Sequence, residues 1–128
     1  GIARRATDTP ARGPSFSSTY VFPDGELVPI GTTVRVAEAE GFEVRDVESL
    51  REHYALTLRH WVRRLEARHD EALEYVDEPT YRVWRLYMSG SVHGFANGRL
   101  NVYQTLLVKP DEQGRSGLPL MREDWYER

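Results

Sequence analysis

Two long stretches of this chain repeat their apolar residues at helical spacing. In the first, Tyr54, Leu58, Trp61 and Leu65 fall at i, i+4, i+7 and i+11, a continuous stripe. In the second, Tyr81, Trp84, Met88, Val92 and Phe95 keep to one face. Asp77/Glu78-Pro79 opens that second helix and Asn97-Gly98 closes it. A shorter helix is expected at "TVRVAEAE", N-capped by Thr32 or Thr33 and stopped by Gly41.

Two segments read as strands. "FEVRDV" alternates, with Phe42 and Val44 on one face, whereas "RLNVYQTLLVK" is apolar on both faces and predicts a strand buried on both sides. Residues 1–19 have no apolar period and read as loop. "TYVFPDGELVPIG", broken by Pro23, Asp24-Gly25 and Pro29, reads as an aromatic anchor followed by turns. The tail after Pro110 is expected to be irregular or mobile. The order is helix, strand, two helices, strand. Two strands make a marginal sheet by themselves, so the sheet is expected to be incomplete in this chain.

Composition narrows the classes. A chain of 128 residues, 40% hydrophobic and 29% charged, suits one globular domain rather than disorder. No apolar run approaches the roughly 18–20 residues of a membrane span. Without cysteine there is no disulfide, thiolate metal site or cysteine nucleophile. A net charge of −3 gives no nucleic-acid signal. The chain opens "GIARRATD" without an initiator methionine, so it is expected either to be processed or to be the tail of something longer.

Chemistry is sparse. His53, His60, His69 and His93 share no metal-ligand spacing and read as surface or capping histidines. No phosphate loop or nucleophile elbow is present. Residues 51–69 carry five arginines against two glutamates, a formal +3 in a chain of −3. Such a helix suits anionic head groups or an acidic partner, or else it is a solvated face paired with acids elsewhere. Ser89, Gly90, Ser91 and Gly94 sit inside the second helix, where each glycine costs about 1 kcal/mol relative to alanine. Small residues there admit a close neighbouring helix or a slender acyl chain. Tyr54, at the first turn of its helix, packs by its ring and is able to turn its hydroxyl into a pocket. Spacing alone favours a structural role for it.

The succession "YVFPDGEL", "GFEVRDVESLREHYALTLRHW", "YRVWRLYMSGSVHGF" and "LNVYQTLLVK" resembles the C-terminal part of the cyclopropane-fatty-acyl-phospholipid synthase family, which includes the mycolic acid cyclopropane synthases. The resemblance runs over residues 20–109 and arguably from Gly1. It implies an α/β fold: the C-terminal portion of a Rossmann-like class I methyltransferase, with a final antiparallel strand pair and a helical lid inserted between the strands. The expected division is residues 1–109 for this segment, with the lid at about 50–97, and 110–128 for the irregular tail. The family transfers a methyl cation from S-adenosylmethionine to the double bond of an acyl chain. Loss of a proton then gives a cyclopropane ring or a methyl branch, with bicarbonate as the base.

By that resemblance Tyr54 matches the tyrosine of the bicarbonate site, and Ile2 an isoleucine whose backbone contacts it. Trp84, Tyr87 and Phe95 fall in the lid over the acyl pocket. The family histidine expected just before "GI", the glycine-rich cofactor turn, the pocket cysteine and the catalytic glutamate are missing from this chain. It is therefore expected to bind no cofactor alone and to be inactive alone. Its expected partners are an unsaturated phospholipid chain and an anionic membrane surface met through Arg59, Arg63, Arg64 and Arg68, with no nucleic acid. A cytoplasmic place, peripheral at the inner membrane surface, and self-association of the isolated chain go with this reading. The alternative is a stand-alone, non-catalytic module that binds lipid or protein through the lid helices.

Overall fold

The structure, a computed structural model, describes residues 2–4, 15–21 and 27–126. The turn expected at Pro23 and Asp24-Gly25 lies outside them. Three strands, β1 (Ile2–Arg4), β2 (Glu43–Ser49) and β3 (Leu100–Val108), form one antiparallel sheet in the order β1-β3-β2. The expected sheet had two strands and a loop at the N-terminus, so β1 is a correction. Ile2 stands opposite Val102 and Ala3 opposite Asn101, with Ala3 buried. Three residues are too few for alternation to show. Pairing with β3, not local pattern, makes this strand. A short helix, α1 (Phe16–Tyr20), also falls in the stretch read as loop, with the Phe16 and Tyr20 rings 5.2 Å apart.

Helix α2 (Ile30–Ala39) starts directly after Pro29, ahead of the expected Thr32/Thr33 cap, and no side chain caps it. Its end is as expected. Gly41 takes φ +85°, Gly41 N–H donates to Glu38 and Phe42 N–H to Ala37. α2 packs on β2, whose register shifts between Val44 and Asp46 so that Arg45 forms a bulge.

Between β2 and β3 the chain makes helices α3 (Arg51–Ala67), α4 (His69–Ala72) and α5 (Glu78–Ala96). The Asp77 carboxylate accepts from Thr80 N–H at 2.9 Å to start α5, and Gly98 at φ +77° ends it. α3 and α5 pack antiparallel. Arg51 at the start of α3 donates to the carbonyls of Phe95 and Ala96 at the end of α5, and His69 beyond the end of α3 meets Glu78 at the start of α5.

The core lies where this helix pair meets the sheet: Ala55, Leu58, Phe95 and Val102, with Tyr54, Met88, Val92 and Leu100 packed around them. Trp61 and Trp84 of the two stripes are 47% and 43% exposed. Only the seam of a two-helix layer is covered, so residues one step off it stay open. β3 is likewise less enclosed than its pattern predicts, because Val102 is its one buried residue.

Among the described residues past Pro110 there is no helix or strand except a 3-10 turn at Glu123–Trp125, yet this tail is fastened. Arg122 pairs with Asp46 of β2, and Trp125 Nε1 donates to the Pro119 carbonyl at 3.1 Å. Among the described residues no helix is long and apolar enough to cross a membrane.

Candidate functional site

The N-terminus of α3 is fixed by the sheet. Leu50 N–H donates to the Val102 carbonyl at 2.9 Å, and Tyr54 N–H donates to Leu50 at 3.0 Å. Tyr54 is thereby set one turn along α3 from the residue bonded to β3, and it packs on the core cluster containing Val102, the register partner of Ile2 on β1. The Tyr54 ring lies 5.8 Å from that of Phe95, tilted by 44°. Phe95 is 2% exposed, a core residue beneath Tyr54. The Tyr54 side chain is half-buried, and its hydroxyl has no hydrogen-bond partner among the described residues. A phenol so placed is able to donate to, or accept from, a small polar group beside an apolar surface.

On α5, Trp84, Tyr87, Ser91 and Phe95 follow one another at three- and four-residue steps and so share a face. Burial deepens along it, from exposed Trp84 through half-buried Tyr87 to buried Ser91 and Phe95. Trp84 and Tyr87 meet edge-on at 5.8 Å. The small residues of this helix divide. A Cβ on Gly94 would stand 2.8 Å from Leu100 Cδ1, so this glycine admits a strand side chain rather than another helix. Gly90 has open space around it and Ser89 is exposed.

Two polar devices escaped the sequence reading. The first is the Arg51 contact to the α5 C-terminus, a cation at the negative end of a helix dipole. The second is His69, whose Nε2 lies 2.9 Å from Glu78 Oε2 and whose Nδ1 lies 3.1 Å from Asp70 Oδ1, with Tyr81 edge-on at 4.6 Å. The Glu78 hydrogen bond, then that of Asp70, raises the His69 pKa above the ordinary histidine value, and His69 in turn holds Glu78 below the usual carboxylate range. Spacing gave no hint of either, because both join residues that are distant along the chain or come together only in the turn between two helices. His53, His60 and His93 are exposed, and no metal-binding cluster occurs among the described residues.

The family model for mycolic acid cyclopropane synthetase matches residues 2–105. A Pseudomonas putida protein described as a probable fatty acid methyltransferase is 47% identical over 112 residues, covering 87% of this chain and 28% of that protein. A Mycobacterium tuberculosis protein of the same description, Rv3720, is 39% identical over 112 residues, covering 88% of this chain and 26% of the relative. Among solved structures, mycolic acid cyclopropane synthase CmaA1 complexed with SAH and CTAB superposes with a TM-score of 0.69 at 35% identity, over 72% of this chain and 32% of that one. The chain thus spans about a quarter to a third of the length of these relatives.

Proposed function

The chain belongs to the mycolic acid cyclopropane synthetase family, and from that membership we propose that it forms part of an S-adenosylmethionine-dependent methyltransferase acting on the double bond of an unsaturated acyl chain. Its fold is a portion of a Rossmann-like α/β methyltransferase, with an antiparallel pair, β2 and β3, and helices inserted between them. The inserted segment, about residues 50–97, serves as a lid over the acyl chain, and the whole stretch 1–109 acts as one unit, with 110–128 as a tail to it. A cyclopropane ring or a methyl branch is the product.

The observation that carries this reading is the placement of Tyr54: anchored to β3, backed by Phe95, half-buried, with a hydroxyl left without a partner among the described residues. Bound S-adenosylmethionine supplies an electrophilic methyl group. No glycine-rich phosphate or nucleotide turn stands among this chain's residues to hold that cofactor, so its site lies with other parts of the protein. The Tyr54 hydroxyl fits a small oxyanion such as bicarbonate, which it would orient by hydrogen bonding, with the Ile2 backbone on the neighbouring strand as second contact. Its ring presents a π face to positive charge developing on the substrate, while Trp84 and Tyr87, further along α5, line the path of the acyl chain and keep water from it. A base held in such a place takes up the proton that the alkylated chain gives up.

An arginine-bearing side of α3 faces an anionic membrane, which would place the protein peripherally at the inner leaflet of a cytoplasmic membrane. Released from the rest of its sheet, the chain self-associates.

The test is Tyr54→Phe in the intact protein, assayed with S-adenosylmethionine and an unsaturated phospholipid. Turnover is expected to fall by roughly 10²-fold or more, the range for loss of a positioned acid–base group, with unchanged circular dichroism. Full turnover in the variant would remove Tyr54 from the site.

A further inference from the structure

The arginines of α3 and Arg68, the residue that follows its end, do not form one surface. At 100° per residue, Arg59 and Arg63 are centred about 140° around the helix from Arg64 and Arg68. A flat membrane meets one pair or the other. The acids of α3 neutralise neither: Glu52 is taken by Arg51 at 2.6 Å and Glu66 by Arg85 at 2.7 Å. Arg59, Arg63 and Arg64 have no ion-pair partner among the described residues. Arg68 has a loose one in Glu71, at 3.8 Å.

The ground beside the two pairs differs. Arg59 and Arg63 border a hollow of about 220 Å³ with Val62, Ser89 and Val92. Arg64 and Arg68 border an open groove of about 390 Å³ between α3, α4 and α5, lined by Trp61, Leu65, Tyr75 and Met88. Trp61 is 47% and Tyr75 81% exposed, a large apolar outlay for a surface with nothing to meet. Glu71 is the groove's single lining acid, and Arg68 offsets it, leaving the Arg64 charge uncompensated. Exposed tryptophan and tyrosine next to arginines above an apolar lining are the residue set of a lipid–water interface.

We propose that this groove seats one anionic phospholipid of a bilayer surface, its phosphate on Arg64 and Arg68 and an acyl chain against Leu65 and Met88. This rests on the reading of the protein as one that works on acyl lipids, and it names the side of α3 that meets the membrane. The groove lies ten residues along α3 from Tyr54, about 15 Å along the axis, so a lipid held there docks the protein and leaves the Tyr54 face to the reacting chain. Charge complementarity selects the anionic head group, and the apolar lining selects a lipid over a free phosphate.

The experiment uses the intact protein and phosphatidylcholine vesicles containing about one-third phosphatidylglycerol, with and without bromine on the acyl chains. Sedimentation reads affinity, and tryptophan quenching by bromine reads insertion. Arg64→Gln/Arg68→Gln is expected to weaken binding roughly thirty-fold, and Arg59→Gln/Arg63→Gln less than about threefold. Quenching is expected to drop in Trp61→Phe, and also in Ala72→Phe, which fills the groove without changing charge. Equal losses from both arginine pairs would mean a diffuse basic face and overturn the groove. So would quenching that survives Trp61→Phe undiminished, or a failure of the protein to bind these vesicles. No cofactor or turnover is involved, so this result and the Tyr54→Phe assay fail independently.

Discussion

Tyr54 rests on Phe95 with ring centroids 5.8 Å apart, an exposed-edge phenol supported by the most deeply buried large side chain of the core. The two residues should therefore respond to substitution in opposite ways. Tyr54→Phe keeps the ring contact and removes a hydroxyl that bonds nothing among the described residues, so the melting temperature should hardly change while turnover falls. Phe95→Ala empties the core and should cost about 3–5 kcal/mol. A Tyr54→Phe protein as unstable as Phe95→Ala would show that the hydroxyl is structural.

Gly94 and Gly90 make a second pair of opposites. Alanine is favoured over glycine in a helix by about 1 kcal/mol. At Gly90, with open space around it, that preference should appear as a gain of this size. At Gly94 the new Cβ would stand 2.8 Å from Leu100 Cδ1 and 3.0 Å from Cγ, and Leu100 is packed against the core. Overpacking of about 1–3 kcal/mol should then outweigh the preference, leaving a net loss near 1 kcal/mol. Denaturant melts of the two single variants decide it. A loss at Gly90 would reveal that another part of the protein covers that face.

How far the sequence could be read follows from where the determinants lie. Asp77, Pro79 and Asn97-Gly98 are local signals, and α5 begins and ends on them. Gly41 likewise closed α2 where expected, whereas the start of α2 was set by Pro29, a position that needs no side-chain cap. β1 owes its existence to β3, nearly 100 residues away, and nothing in "IAR" announces it. Trp61 and Trp84 belong to the apolar stripes yet stay partly open, because periodicity reports a face and not the width of its partner. For the site, the expectation placed on Tyr54 and the α5 residues comes from the resemblance alone. The Arg51, His69 and groove contacts depend on how α3 and α5 cross, which no spacing encodes.

Arg51 should be worth more than a surface arginine. Its guanidinium donates to Phe95 at 2.8 Å and Ala96 at 3.2 Å, satisfying carbonyls at the end of α5 while lying at that helix's negative pole. Arg51→Met keeps the stem and removes the donors, and should cost about 1–2 kcal/mol. Arg51→Lys, lacking the planar fork, should recover only part of it. An Arg51→Met protein with wild-type stability would place that helix end in water instead.

The His69–Glu78 contact gives a pH signature. His69 has a raised pKa in the folded state, so its contribution is complete below about 6.5 and is lost as pH rises through the raised value. Glu78 has a lowered one, so its contribution is present above about 4.5 and is lost as pH falls through the lowered value. The difference in melting temperature between wild type and His69→Gln should thus be largest between the ordinary Glu and His values and shrink as pH rises through the raised His69 value. Both groups are well exposed, so the effect should be small. A His69 proton titration by NMR, displaced toward the ordinary value in Glu78→Gln, checks the cause directly. Coincident titrations in the two proteins would assign the raised pKa to Asp70 alone.

The edges of the sheet suggest what happens to the chain when it is made by itself. β2 presents Glu43, Arg45, Asp46 and Glu48, a charged strand with a bulge, which discourages a further strand from pairing there. β1 is less guarded: it is Ile-Ala-Arg, with one charged residue and no bulge, Ile2 42% exposed and Ala3 buried. Self-association of the 128-residue chain should therefore run through β1, appearing in light scattering as a mass that rises with concentration. Ile2→Pro should suppress it, since proline neither donates to a ladder nor sits easily in a paired strand. Glu48→Val on the β2 edge should promote a second mode of association by removing a guard charge. A monomer at every concentration would mean that β1 needs no outer neighbour.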